Sequence, residues 1–374
     1  MSIGLLTKNK ESRESNFELL RVIAMILILF SHFAGHGYFQ YVSDKLFIPL
    51  NNIFFAFLLP FGKLGVILFI LITGYFLINS NAKIKSFLNL FFQTLIYSTS
   101  ILIIFLLNGV NVSHKDILAS IMPVTHSIYW FITAYLILYI LIPIINKFLK
   151  IVEKKNYETL LLAILTILYL FIHNNISSFI YLYILGSYIR KSVFPLNKLK
   201  MKHCIYILCS LFIFLILYVC FKIPYCTNFE QISRVMHKLT VIHSPILLIS
   251  SVCIFNIIKN LKFDTNPVIN SIAISVLPVY LIHENFLVRP LLWENVMKIL
   301  NQINSNIFLL FGIFIIVIIF INFILIDKLF GYLYLPIRKR IVNFICKIFD
   351  KISSNIRNRQ NLNICNKLGN FHER

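Results

Sequence analysis

The chain has 374 residues, of which 59% are hydrophobic, 15% aromatic and only 13% charged, and its mean hydropathy is +0.83. A soluble domain carries about 25% charged residues, so this composition excludes an ordinary water-soluble globule. The charges are also unequal, with 35 Lys and Arg against 14 Asp and Glu and a formal net charge of +21. On a soluble protein this excess would suggest nucleic acid. In so apolar a chain it predicts basic loops on one side of a bilayer and no nucleic-acid partner.

Stretches that lack Asp, Glu, Lys and Arg predict about ten membrane-spanning helices, each of about 20 residues. Residues 46–62 contain two prolines and two asparagines and are separated from the next stretch by Lys63 alone, so we expect an interfacial or re-entrant segment there. Residues 159–189 are too long for one span, and basic clusters flank both ends, which predicts two short helices that meet at residues 173–175. The other predicted spans are 22–43, 64–82, 86–114, 117–146, 204–221, 239–258, 265–283 and 299–326.

Most basic residues fall on one side of these spans, which predicts that both termini are cytoplasmic. The predicted fold is therefore an all-α polytopic membrane protein. We divide it into a cytoplasmic N-terminal segment (1–15), a ten-helix membrane domain (16–335) and a basic cytoplasmic tail (336–374). The first apolar stretch lacks the small-residue cleavage site of a signal peptide. The seven cysteines form no CxxC pair, so neither a zinc site nor a disulfide framework is expected.

Arg21 and His32 are ionisable residues within the first span, where burial is costly and therefore suggests a function. Eleven residues at 100° each bring them within about 20° of one helix face, with a rise of about 16 Å between them. This predicts Arg21 at the cytoplasmic interface and His32 near the middle of the membrane. Arg21 could instead reach lipid phosphate, and His32 could make an interhelical hydrogen bond, but a shared face favours two positions along one pathway.

His36 lies one turn beyond His32, and a histidine pair with this spacing can bind a metal ion. The sequence shows no HExxH motif or nearby carboxylate to complete the ligands, so no metal is expected. Trp130 stands at the outer end of the fourth span, beside Tyr129 and Phe131. Such a tryptophan is typical of the aromatic belt at a membrane interface. The alternative is a platform for a sugar ring.

A second polar cluster, His283-Glu284-Asn285, closes the ninth span at its predicted outer end, and Arg289 follows about one turn later. The carboxylate of Glu284 could polarise a histidine, orient a hydroxyl group of a substrate, or pair with Arg289. The sequence leaves these three roles open.

The Arg21 and His32 spacing within NFELLRVIAMILILFSHF resembles the signature of the membrane acyltransferase 3 family. The segment GKLGVILFILITGYFLI (62–78) is similar to the second helix of that family, with Gly65, Gly74 and Tyr75 in the expected places. Three further segments resemble its surface-polysaccharide O-acetyltransferase branch: HSIYWFITAYLILYILIPIIN (126–146), HSPILLISSVCIF (243–255) and VYLIHENFLVRPLLW (279–293). The resemblance covers nearly all of residues 16–330, in order.

The resemblance implies an enzyme that takes an acyl group from cytoplasmic acyl-CoA and delivers it to a glycan hydroxyl. The phosphates of CoA need cations, and Arg21, Lys83 and Lys85 lie on the predicted cytoplasmic side. Many family members carry an Arg-rich stretch after the second span, where this chain has only these two lysines. His32 is expected to act as the general base on the acceptor hydroxyl.

The outer cluster is expected to serve the acceptor. We assign Glu284 a catalytic role and expect Trp130, His283, Asn285 and Arg289 to bind the acceptor substrate. No P-loop, Rossmann fingerprint or GxSxG motif is present, which argues against ATP-driven transport and soluble nucleotide-binding folds.

The sequence therefore predicts an O-acetyltransferase of the bacterial plasma (inner) membrane. Its donor would be acetyl-CoA, and its acceptor a surface polysaccharide or a lipid-linked glycan. Membrane lipids are expected partners of the basic loops, and the oligomeric state is left open. One alternative is a transporter of a small solute or glycan precursor with a histidine proton relay, although paired intramembrane carboxylates or a repeat would be more typical of that class. A catalytically silent scaffold is a third possibility.

Overall fold

The computed structural model describes residues 14–80, 82–261, 264–303 and 307–369, which form helices, turns and loops without a β-strand. Within these residues the α-helices are, in chain order, α1 Ser15–His32, α2 Phe39–Tyr41, α3 Pro49–Leu58, α4 Phe61–Leu77, α5 Ile84–Leu107, α6 His114–Ile121, α7 Trp130–Lys154, α8 Glu158–Phe171, α9 Asn175–Lys191, α10 Met201–Lys222, α11 Phe229–Thr240, α12 Pro245–Asn260, α13 Pro267–Ile274, α14 Val276–His283, α15 Val288–Leu300 and α16 Phe308–Gly369.

These helices confirm the predicted all-α polytopic membrane protein. Among the described residues, six helical segments are long and apolar enough to cross a membrane, and two bent helix pairs raise this number to eight. The other two predicted spans correspond to α8 and α9, which have 14 and 17 residues and meet at the predicted break. The count of ten spans and the cytoplasmic position of both termini remain predictions, and residues 1–13 and 370–374 lie outside the described residues.

The segment 46–62 differs from the expectation of an interfacial or re-entrant piece. Its helix α3 runs on into α4, so that Pro49–Leu77 is a single candidate span of 29 residues. Pro60 does not interrupt this path because it occupies the N-cap of α4, where no helical hydrogen bond from its nitrogen is required. The two asparagines that suggested an interface, Asn51 and Asn52, are buried and hydrogen-bonded.

Helix α4 lies at the centre of the bundle and packs closely against α1 and α9. A Cβ atom on Gly65 would overlap the carbonyl oxygen of Ala24 in α1, and one on Gly74 would overlap that of Tyr183 in α9. Gly186 of α9 approaches the α4 backbone in the same way. Because lipid removes most of the hydrophobic drive between helices, such close contacts at small residues hold membrane helices together. They fix which face α4 turns toward α1.

Two interruptions of helical geometry shape the end of the bundle that contains His32. Helix α1 passes at this residue into a π-helical turn, Phe33–Tyr38. Helix α14 ends at His283, and the axis bends by 89° before α15 begins. π-Helical turns are rare and occur frequently at functional sites, and a helix end frees polar groups to hold nearby side chains.

A buried polar network joins α16 to the bundle at the opposite end. The carboxylate of Asp327 accepts hydrogen bonds from Tyr97 of α5 at 2.5 Å and from Ser275 at 2.6 Å. Eleven residues later, Arg338 donates to Gln93 of α5 at 2.6 Å. All these groups are buried, so each depends on the others for its hydrogen bonds. The network fixes the start of the tail against α5.

The basic tail is helical as far as the structure describes it. Helix α16 continues without a break from Phe308 to Gly369, so the predicted boundary between residues 335 and 336 falls inside one helix. The separate domain status and the cytoplasmic position of residues 336–374 stay predictions.

Candidate active site

A cavity of about 820 Å³ lies along one face of α1. Arg21 lines one end of it, and His32 and His36 line it farther along the same helix. Helices α4, α5, α7, α11 and α14 contribute to the rest of the wall. Arg21 and His36 are separated by about 22 Å of helix, so the cavity reaches through most of a bilayer core. Arg21 and His32, which their spacing in the sequence places on one helix face, therefore also line one cavity.

The ring of His32 is held by two groups at the end of α14. Its Nδ1 atom lies 3.0 Å from Nε2 of His283 and 3.1 Å from Oε1 of Glu284. Oε1 is buried and makes no hydrogen bond, so the hydrogen bond of Nδ1 goes to His283, and Glu284 contributes through its charge. The His32 side chain remains 20% exposed and lines the cavity.

The contacts of His283 determine which nitrogen of His32 carries a proton. Nδ1 of His283 lies 2.7 Å from the carbonyl oxygen of Val279, which can only accept, so this Nδ1 is protonated. In the neutral His283 ring, Nε2 is then an acceptor, and Nδ1 of His32 donates to it. The neutral His32 ring therefore has its lone pair on Nε2, the nitrogen that a general base needs. The negative charge of Glu284 beside Nδ1 favours the same tautomer.

The carboxylate of Glu284 contacts three basic side chains. Oε1 lies 3.1 Å from Nδ1 of His32 and 3.9 Å from Nε2 of His36, and Oε2 lies 3.5 Å from Nη1 of Arg289. A carboxylate that is only 8% exposed requires such partners. Polarising a histidine and pairing with Arg289, two of the three roles considered above, both agree with these distances. Orienting a substrate hydroxyl stays a prediction.

Two residues predicted to bind substrate, His283 and Asn285, are fully buried and are absent from the cavity wall. Asn285 donates from Nδ2 to the hydroxyl of Tyr129 at 2.9 Å and accepts from the backbone N–H of Leu287 at 3.0 Å. Tyr129 in turn donates to the carbonyl oxygen of Leu281. These bonds fix the chain on both sides of Glu284. The structure thus places His283 against His32, and Asn285 where it fixes the backbone beside Glu284. In this arrangement neither side chain is accessible to a substrate in the cavity.

Trp130 lines the cavity together with Lys63. The ammonium nitrogen of Lys63 lies 4.0 Å from the centroid of the tryptophan ring, a cation–π contact. Trp130 therefore has a neighbour that neither the aromatic-belt nor the sugar-platform hypothesis included. A sugar platform stays a prediction for the part of the ring that Lys63 leaves open. Arg289, also predicted to bind substrate, lines the same cavity.

The predicted cofactor-binding cations lie at or beside the other end. Nη1 of Arg21 forms an ion pair with Oε1 of the buried Glu18 at 2.5 Å, and 32% of the Arg21 side chain is exposed. Lys83 and Lys85 stand at the start of α5, outside the cavity wall. The hydroxyl of Tyr139, which does line the cavity, accepts a hydrogen bond from the backbone N–H of Lys83 at 3.1 Å. The two lysines are therefore neighbours of the cavity.

His32, His36 and Glu284 also form a set of possible metal ligands, since their ligand atoms all lie within 4.8 Å of one another. Two imidazoles and a carboxylate suit zinc. Arg289 and Lys63, however, line the same cavity, and a divalent ion would add two positive charges to a cluster that already has an excess of cations. The absence of a metal requirement stays a prediction.

Sequence reasoning missed three features of this site. In the sequence Lys63 stands as a single charge between two apolar stretches, and an isolated charge in such a place is itself a signal of function. Glu18, three residues before Arg21, was visible as a helical ion-pair partner. The contact between His32 and His283 spans 251 residues, and no local spacing predicts it.

The fold and cavity define a multi-pass integral membrane protein with a histidine site in its interior. Residues 14–327 match the acyltransferase domain of the acyltransferase 3 family. This match covers most of the chain, so the protein belongs to that family and is a membrane acyltransferase, which confirms the resemblance seen in the sequence. The match does not distinguish the O-acetyltransferase branch. Comparisons with curated proteins and with solved structures gave no match.

Proposed function

We propose that this protein is an O-acyltransferase that moves an acetyl group from acetyl-CoA in the cytoplasm to a hydroxyl group of a surface polysaccharide or a lipid-linked glycan. The observation that carries the proposal is the chain of contacts from the Val279 carbonyl through His283 to Nδ1 of His32, which leaves Nε2 of a cavity-lining ring as the basic nitrogen. In this proposal one end of the cavity would receive the cytoplasmic donor and the other end the acceptor from the far side.

The donor would enter at the Arg21 end. The guanidinium group can bind a phosphate of CoA in two-point geometry, and Glu18 holds it at the cavity. Lys83 and Lys85, beside the cavity, would add point charges for the remaining phosphates. Arg21 and His32 are about 16 Å apart along α1, a distance that an extended pantetheine arm can cover.

The chemistry would take place at His32. Nε2 removes the proton of the acceptor hydroxyl while its oxygen attacks the thioester carbonyl carbon. The carbon–sulfur bond then breaks, and the imidazolium returns the proton to the sulfur of CoA. General base catalysis of this kind typically contributes about 10²–10⁴-fold, and holding both substrates in one cavity contributes through orientation.

The acceptor would occupy the end lined by Trp130 and Arg289. A tryptophan ring and a guanidinium group suit the apolar faces and hydroxyl groups of a sugar. A bacterial plasma membrane would bring the two substrates to opposite ends of the cavity, and its anionic lipids would contact the basic loops.

Radiolabelled acetyl-CoA tests this proposal directly. The purified protein in lipid vesicles, supplied with lipid-linked glycans extracted from the source cells, should transfer label to glycan and release one CoA for each acetyl group. In cells, NMR of the surface glycan should show O-acetyl signals that disappear on deletion of the gene. A transporter would leave acetyl-CoA intact in the first assay, and unchanged glycan signals in the second would contradict the proposed acceptor.

Arg21→Ala should raise the apparent KM for acetyl-CoA by about 10-fold or more, since hydrogen bonds to charged groups contribute about 1.5–3 kcal/mol. Turnover should change less, because a phosphate contact acts on the ground state and the transition state alike. Lys83→Ala and Lys85→Ala should give milder versions of the same effect. Steady-state kinetics with varied acetyl-CoA measures both parameters.

The matched control for Arg21 is Arg234→Ala. Arg234 also pairs with a glutamate of its own helix, Glu230 at 3.2 Å, but is exposed and absent from the cavity wall. Its replacement should leave the KM for acetyl-CoA unchanged. An unaltered KM in the combined Arg21, Lys83 and Lys85 variant would show that the CoA phosphates bind elsewhere.

A further inference from the structure

Lys63 lies at the same depth in the bundle as His32. A Cβ atom on Gly62 would contact Oγ of Ser31, whereas one on Gly65 would meet Ile28. The register between α4 and α1 therefore places Lys63 level with the end of α1, where the His32 ring also faces the cavity. The Lys63 side chain thus starts at the level where acyl transfer is proposed, and it lines the same cavity as His32.

Lys63 differs from the two other cations in the cavity wall. Arg21 pairs with Glu18, and Arg289 pairs with Glu284. Lys63 forms no ion pair with any of the described residues and contacts the face of the Trp130 ring. Burying a cation within a membrane domain costs free energy, so a residue that does so suggests a functional position. A ring contact fixes the ammonium group without neutralising its charge, so the charge remains available to a negative group.

We propose that Lys63 is a catalytic residue that stabilises the oxyanion of the tetrahedral intermediate in acyl transfer. The inference rests on the proposed function, because it requires a thioester at the level of His32. Fixed positive groups directed at developing negative charge are commonly the largest electrostatic contribution to catalysis in a site that excludes water.

The step balances with the groups present. The acceptor oxygen bonds to the carbonyl carbon, the carbonyl π electrons move to oxygen, and Nε2 of His32 takes the acceptor proton. The ammonium group of Lys63 donates a hydrogen bond to the new oxyanion and keeps its proton throughout. When the intermediate collapses, the carbon–oxygen double bond forms again, the carbon–sulfur bond breaks, and the proton passes from His32 to the thiolate of CoA.

Trp130 is then a positioning residue for Lys63. Its ring holds the ammonium nitrogen at 4.0 Å from the centroid, within the range of a cation–π contact. Trp130→Phe, which keeps an aromatic face, should retain more turnover than Trp130→Leu, which does not. A ring that served only as a platform for the acceptor sugar would change the KM for glycan in these variants and leave turnover nearly unaltered.

Lys63→Met tests the proposal, because methionine keeps an unbranched chain of similar length without the charge. We expect the turnover number with acetyl-CoA and the extracted lipid-linked glycans to fall by about 10²–10³-fold, the loss typical of one oxyanion donor. The KM values for acetyl-CoA and for glycan should change by no more than about twofold, because a donor used only in the transition state lowers turnover and leaves ground-state binding intact. Lys63→Arg should recover part of the lost turnover.

Lys222→Met is the matched control. Lys222 also faces an aromatic ring, that of Phe221 at 5.6 Å, but is exposed and lies outside the cavity wall. Replacing Lys222 should leave turnover unchanged, and thermal unfolding in detergent should show that both variants fold.

Unchanged turnover in Lys63→Met overturns the inference. A raised KM for glycan at normal turnover also overturns it, because that result would assign Lys63 to an anionic group of the acceptor. Both results leave the proposed acyltransferase function intact if His32→Ala is inactive. If the wild-type protein itself cleaves no acyl-CoA, both the proposed function and the role of Lys63 are overturned.

Discussion

His32→Ala is expected to reduce acyl transfer by at least about 100-fold, and to background if no other group replaces the base. The structure gives the reason, since the hydrogen bond to His283 and the charge of Glu284 both leave the lone pair on Nε2. Acetyl-CoA binding at the Arg21 end should be nearly normal, because His32 lies about 16 Å farther along α1. Transfer of radiolabel to glycan measures the first effect, and equilibrium binding of acetyl-CoA measures the second.

The His32 variant should still fold and insert. The substitution removes one hydrogen bond, worth about 1 kcal/mol, at a position that is partly exposed to the cavity. His114→Ala is a suitable control, because His114 begins α6 as an exposed residue and lies outside the cavity wall. Retained acetylation in the His32 variant, with normal activity in the control, would remove His32 from the mechanism.

Local spacing in the sequence predicted much of the fold and, within the site, the shared helix face of Arg21 and His32. Charge-free stretches of the required length correspond to helices, and the break between α8 and α9 follows from length and flanking charge, with Asn174 supplying its N-cap bonds to the backbone of α9. The 100° rotation per residue places Arg21 and His32 on one face, and both line the cavity. These features depend on helical geometry within one segment, so a single sequence contains them.

The features that local spacing did not predict depend on how segments that are distant in the chain pack against one another. His283 was expected to meet the acceptor, but it is fully buried and contacts His32, which lies 251 residues away in the chain. Pro60 and two asparagines suggested a break before α4, yet the polar side chains find partners within the bundle and the helical path continues. The position of Lys63 depends on glycine contacts between α4 and α1, which no pattern within α4 reveals.

The three cations that line the cavity differ in their partners. Arg21 with its buried Glu18 stands at one end, and Arg289 with the buried Glu284 stands beyond His32. Each guanidinium group is thus held by a carboxylate. Among the described residues, Lys63 alone of these three cations forms no ion pair, and it contacts the Trp130 ring at the level of the histidine. In a medium that excludes water, the charge of Lys63 acts more strongly on a developing oxyanion than it would at a surface.

Glu284→Gln should lower turnover by about 10²–10⁴-fold with little change in acetyl-CoA binding. Glutamine preserves the shape but removes the negative charge that lies 3.1 Å from Nδ1 of His32. Its amide group can also donate to Nδ1, which favours the tautomer with the proton on Nε2 and so removes the base. In hydrolases with a Ser-His-Asp triad, where the carboxylate accepts the hydrogen bond of the histidine directly, the change from carboxylate to amide costs about 10⁴-fold, which sets the upper end of this range. Label transfer to glycan and acetyl-CoA binding, measured on the same preparation, separate the two quantities.

Arg289→Ala distinguishes the catalytic role of Glu284 from a purely structural one. If the carboxylate serves only to pair with Arg289, at 3.5 Å, then Glu284→Gln should transfer almost normally and Arg289→Ala should reproduce its small effect. If the carboxylate acts on His32, Arg289→Ala should retain far more turnover than Glu284→Gln, because Oε1 still lies beside Nδ1 when Oε2 loses its partner. Loss of acetyl-CoA binding in Glu284→Gln would contradict both roles. It would mean that the donor binds at the α14 end of the cavity, and that the direction assigned here to the ninth predicted span is reversed.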